Sequence, residues 1–87
     1  MTRYFFHTHD RRCDIDEVGV DFPDDAAAGL EAVRYGGSLI ADDPHLLGNG
    51  NGLRVECVDE EGRLRFTLLV NAVDSTGNLA RSGGGDE

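Results

Sequence analysis

At 87 residues the chain is long enough for one small domain. Its apolar content of 39%, with 12 glycines besides, excludes a fully disordered or collagen-like chain, and no apolar run approaches the roughly 18 residues of a membrane span. Seventeen acids against eight bases, every base an arginine, give a net charge of −9.

That balance bears on partners. A surface that tracks phosphates needs clustered positive charge. The only basic clusters, Arg11-Arg12 and Arg63 with Arg65, are flanked by acids. Neither nucleic acid nor an anionic membrane is therefore an expected partner; a second copy of the chain or a neutral or basic protein is. The first apolar stretch, Tyr4-Phe5-Phe6, is too short for a secretory signal. Two cysteines are too few for a disulfide framework, so a cytoplasmic protein with reduced thiols is expected.

Taken in chain order, the first element is a strand over 3–9, aromatic-rich and too short for a helix. Strand alternation sends Tyr4, Phe6 and Thr8 to one face and Phe5, His7 and His9 to the other. Both faces carry an aromatic ring, which points to a central strand. A polar connection over 10–14 leads into a second strand over 15–22. There Val18, Val20 and Phe22 alternate with Glu17, Gly19 and Asp21 and are expected on a buried face.

Phe22-Pro23-Asp24-Asp25 is a helix start. Asp24 suits the N-cap, and Asp25 complements the positive end of the helix dipole. The helix is expected over 25–42. Ala26, Leu30, Val33, Gly37 and Ile40 form its apolar stripe, with Glu31, Tyr35 and Asp42 opposite. Gly36-Gly37 implies a bend or a close approach of the helix backbone to the sheet. Pro44 stops the helix, and a glycine-rich loop over 44–52 follows.

A third strand is expected over 53–58 and a fourth over 63–73. With Cys57 and Val55 on the core face, parity pairs Cys57 with Leu64 and Val55 with Phe66. That register leaves a four-residue loop, 59–62, whose Gly62 is left-handed. A three-residue loop is rejected because it would set Glu56 opposite Phe66 on the core face. Residues 75–87, rich in glycine and poor in apolar side chains, read as a disordered tail after a single domain over 1–74.

Two hairpins around one helix give an α+β fold: a two-layer ββαββ sandwich with a four-stranded, mainly antiparallel sheet and the helix on one face. The favoured strand order is 2-1-3-4, with 2-1-4-3 as the alternative. The uncovered face carries Phe5, His7, Val58 and Leu69. Phe5, His7 and Leu69 are the interface candidates, for a homodimer or a heteromer.

No residue set points to catalysis or to a bound cofactor. His7 and His9, two apart on one strand, emerge on the same face with Cys13 nearby. They are the metal-ligand candidates, and they fall short of the three or four ligands that zinc takes. Asp42, Asp43 and His45 read as a solvated helix end. The expected function is a non-enzymatic interaction or regulatory module. A small metal-dependent enzyme using His7 and His9 is the alternative.

The opening Arg3-Tyr4-Phe5-Phe6-His7, the turn Phe22-Pro23-Asp24, the alanine-rich helix and the late Val55-x-x-x-Asp59-x-x-Gly62-Arg63 hairpin resemble a family of small proteobacterial proteins known as a domain of unknown function. The likeness covers about residues 2–73. It implies a ββαββ domain in a bacterial cytoplasm and carries over no catalytic residue. The chain departs from that pattern at Gly36-Gly37. A second likeness is to antitoxins with a partly degraded ribonuclease-H-like fold, which would imply a basic toxin as partner. Those proteins usually add a DNA-binding segment, and this chain has no basic element for one.

Overall fold

The strand over Thr2–His9 (β1) is an inner strand of the sheet. In this computed structural model, which describes residues 1–10, 12–48 and 52–77, β1 pairs antiparallel with Leu53–Asp59 (β4) on one side. On the other side it meets two short strands, Cys13–Asp14 (β2) and Val20–Phe22 (β3). Leu64–Val70 (β5) pairs antiparallel with the far edge of β4. This is the favoured order, with the second strand divided in two.

Alternation works in β1 as expected. Tyr4, Phe6 and Thr8 are buried, while Phe5, His7 and His9 are half-buried on the opposite face. The buried set continues across β4 as Leu53, Val55 and Cys57. Phe22 packs its ring against both Tyr4 and Phe6, at centroid distances of 6.2 and 6.0 Å, separations typical of favourable aromatic pairs.

The helix Asp25–Asp42 (α1) has the expected bounds, with the Asp24 carboxylate accepting from the Ala27 N–H at 2.9 Å. Its buried face is not the expected stripe. Ala28, Gly29, Ala32 and Gly36 face the sheet, and Leu30 is 74% exposed. The sheet supplies the large side chains, Phe66 and Leu68 among them, so the space left for the helix is small. Interiors fill to near-crystalline density, and only a face of alanine and glycine fits against those rings at close range. A Cβ on Gly29 would stand 2.9 Å from Phe66 Cδ2, and one on Gly36 would run into Leu68. The close approach inferred from Gly36-Gly37 is thus found at Gly36.

The expected continuous second strand is also corrected. Between β2 and β3 the chain leaves the sheet, and Val18 is 74% and Val20 51% exposed. Asp16 explains the break. Its carboxylate accepts from the Phe6 N–H at 3.1 Å, a donor that a strand carbonyl would otherwise satisfy, and from the N–H groups of Val18 and Gly19 at 3.0 and 3.1 Å. A side-chain acceptor competes here with the ladder itself.

The last hairpin has the three-residue connection that parity argued against. Asp59 N–H donates to the Arg63 carbonyl and Gly62 N–H to that of Asp59, both at 2.9 Å, with Gly62 at φ +83°. Val58 stands opposite Leu64, but Cys57 stands opposite Phe66 and Val55 opposite Leu68. Arg65 is therefore a bulged residue. It restores the parity that a four-residue loop was expected to supply, and Leu64 turns to the open face.

The loop after Pro44 contributes more than expected. Leu46–Gly48 forms a short 3-10 turn, and Leu46 is buried in the core. Residues 49–51 of that loop lie outside the described residues, as does the expected tail beyond Gly77. Residues 74–77 close a turn in which Asp74 accepts from Thr76 and Gly77. Among the described residues, no helix is long and apolar enough to cross a membrane.

Candidate functional site

The open sheet face is laid out by the strand registers. Phe5, Val58 and Leu64 lie in one row across β1, β4 and β5; His7, Glu56 and Thr67 in the next; His9, Arg54 and Leu69 in a third. The interface candidates Phe5, His7 and Leu69 thus share a face, with Phe5 and Leu69 at opposite corners of the three rows. Leu69 is 67% and Leu64 56% exposed. Leu64 is the residue that sequence reasoning missed, because the expected four-residue loop paired it with Cys57 on the core face. Phe5 has partial cover within the chain: the Gly19 backbone lies so near that a Cβ there would stand 2.9 Å from the ring.

The metal candidates are spread over this face and its edge. His9 and Cys13 are register partners across β1 and β2. The His9 Nε2, however, lies 3.1 Å from Glu56 Oε1, and His7 Nδ1 accepts from the Asp16 N–H at 3.1 Å. Among the described residues, no group of three or more His, Cys, Asp or Glu converges as a metal site. Asp43 holds local turns, its carboxylate accepting from the His45 N–H at 3.1 Å.

A polar network ties the start of α1 to the sheet. The Tyr4 hydroxyl donates to Asp25 Oδ1 at 2.7 Å, and Arg65 donates to Asp25 Oδ2 through Nε at 2.9 Å and Nη2 at 2.8 Å. The bulge at Arg65 lets that side chain reach back to the helix. The hydrogen bond from Tyr4, and then those from Arg65, hold the Asp25 carboxyl below the ordinary range. The same bond to Asp25, with burial, pushes Tyr4 up to about 12. Nearby, Asp59 accepts from the N–H groups of Arg63 and Glu61, both at 2.9 Å, and from the Arg63 guanidinium at 3.2 Å. Its carboxyl is held low, first by the Arg63 N–H, against the opposing effect of burial. These groups satisfy one another, and Asp25 joins the start of α1 to both β1 and β5.

A cleft of about 340 Å³ opens between α1 and the β2–β3 edge. Phe6, Ile15 and Val20 supply its apolar lining, and Thr8 lines it as well. Glu31 and Tyr35 from the helix face Asp14 and Asp16 from the strand edge. Sequence reasoning missed the cleft because it turned Glu31 and Tyr35 away from the sheet. The signal available was the run of alanines and glycines at 28, 29, 32 and 36, which marks the true inner face.

The family model described as a domain of unknown function, DUF6894, matches residues 3–71. No curated protein and no solved structure matches the chain.

Proposed function

The chain belongs to the DUF6894 family, a domain of unknown function, and from its geometry we propose that it is a non-enzymatic interaction module of a bacterial cytoplasm, associating with a second copy of itself through the open sheet face. One observation carries this reading: the row Phe5–Val58–Leu64, with the exposed Leu69 beyond it, lies on the face that the helix does not cover. Contiguous exposed apolar surface marks interfaces, and two-fold dimers bury one patch against itself.

Charge supports the same occupant. Arg3 is paired with Asp21 at 3.4 Å, and Arg54 with Glu56 at 3.2 Å. The charged groups of the face are thus largely neutralised within the chain, and a second copy meets that local balance rather than the full −9. The remaining long-range repulsion is screened at physiological salt, where the Debye length is about 8 Å.

Sedimentation equilibrium at low and high salt tests the proposal. A dimer that strengthens with salt and is lost in Leu64→Arg and Leu69→Arg, with circular dichroism unchanged, is the expected result. A monomer at millimolar concentration in high salt overturns it, and directs the search to a neutral or basic protein partner.

A further inference from the structure

We propose that the cleft between α1 and the β2–β3 edge binds an organic cation carried on an apolar stem, either a free amine or the lysine or arginine side chain of another protein. The site is separate from the open sheet face and stands without it.

The first observation is a missing partner. Thr8 is 4% exposed, and its hydroxyl oxygen, closed off from solvent, has no hydrogen-bond partner among the described residues. A buried hydroxyl without a partner is costly to keep, and Thr8 lines the cleft. A turn of the Thr8 side chain about χ1 to another staggered rotamer would present that hydroxyl to a ligand in the cleft.

The second observation is the chemistry of the walls. The cleft volume lies at the lower end of small-ligand sites. Ile15 and Val20 stand 56% and 51% exposed beside it, so apolar surface is left uncovered where a ligand stem would lie. Among the described residues the lining holds three carboxylates and no basic side chain. Two of these are already engaged: Asp16 by the N–H groups of Phe6, Val18 and Gly19, and Glu31 by Arg34 at 2.8 Å. Asp14 makes no ion pair among the described residues, which leaves one carboxylate free to meet a cation. Tyr35 adds an aromatic face at the rim, a further favourable contact for an ammonium or guanidinium group. An anion would meet the unpaired Asp14 carboxylate here.

The test is a ¹H–¹⁵N NMR titration of the full chain with phenethylammonium, and in parallel with phenethyl alcohol and phenylacetate. Saturable shifts at the amides of Thr8, Ile15, Val20 and Tyr35 are expected with the ammonium, about tenfold weaker binding with the alcohol, and no binding with the carboxylate. Asp14→Asn should weaken ammonium binding about fivefold or more. Thr8→Val keeps the shape of the side chain and removes the orphan hydroxyl. It should raise the melting temperature and weaken binding at once, a combination that a purely structural threonine would not give. A short acetylated peptide containing one lysine separates the sources: tighter binding of the peptide assigns the cleft to a protein side chain, and tighter binding of the free amine to a small molecule. Absence of saturable shifts from both at about 10 mM, well above a weak specific affinity, overturns the proposal. So does an equal response to phenylacetate, or unchanged binding in both variants.

Discussion

Gly36 of α1 lies so close to Leu68 of β5 that a Cβ on the glycine would run into the leucine Cδ2 methyl, while a Cβ on the neighbouring Gly37 would meet nothing within 4 Å among the described residues. The two glycines therefore predict opposite mutational signs. Gly37→Ala gains helix propensity with no new contact and should stabilise the fold by about 1 kcal/mol. Gly36→Ala must push Leu68 aside in a layer that already holds Val55 and Leu53, and over-packing of that kind costs about 1–3 kcal/mol. Urea denaturation of the two variants reads the difference. An equal gain in both would mean that the helix stands farther from the sheet than it does here.

Acid stability follows from three carboxylates. Asp25 is held low by Tyr4 and then Arg65, and Asp59 first by the Arg63 N–H. For Asp16, burial pushes the carboxyl up, but the N–H groups of Val18, Gly19 and Phe6, with His7, outweigh it and leave the group below its ordinary value. A carboxyl with a depressed folded pKa stabilises the fold above its unfolded value, about 3.9 for aspartate, and that contribution is lost as pH falls through the folded value. The melting temperature should therefore drop steeply below about pH 4. A melting curve series between pH 2 and 7 checks this, and a flat response would remove these carboxylates from the stability of the fold.

Tyr4 limits the alkaline side. Its folded pKa is raised to about 12 from 10.0. The neutral hydroxyl stabilises the fold fully below the unfolded value, and that contribution is lost as pH rises through the folded one. In a Tyr35→Phe background, tyrosinate absorbance should appear only near pH 12, and adding Asp25→Asn should move the titration back toward 10. A first titration already near 10 would show that the bond to Asp25 is not made in solution.

The two cysteines should differ in reactivity. Cys13 is exposed, while Cys57 is fully buried between β1 and β5, and burial pushes its thiol up to about 11. The thiolate is the reactive form, so native alkylation should add a single label, at Cys13. Rapid labelling of both, read by mass spectrometry, would mean that β4 opens easily.

The local choices of this chain were legible without its structure. The alternation of β1, the Asp24 cap, the bounds of α1, the left-handed Gly62 and the strand order all rest on interactions within a few residues, or on the single question of which strand has two apolar faces. Three features were decided by the tertiary structure. The helix turned its alanines and glycines inward, because the bulk of Phe66 and Leu68 lies on the sheet and total volume, not helix hydrophobicity, determines which face fits. The second strand broke because the Asp16 carboxylate supplied the acceptor that a strand carbonyl would have given to Phe6. The last hairpin took a three-residue turn because the bulge at Arg65 absorbed the parity error and gave Asp25 its cationic partner. The first and third depend on residues far apart in the chain: Gly29 meets Phe66 across 37 positions, and Arg65 reaches Asp25 across 40. The cleft is a consequence of the first two: with the helix rotated and the edge strand interrupted, Tyr35 and Ile15 meet across a gap that no periodicity along the chain encodes.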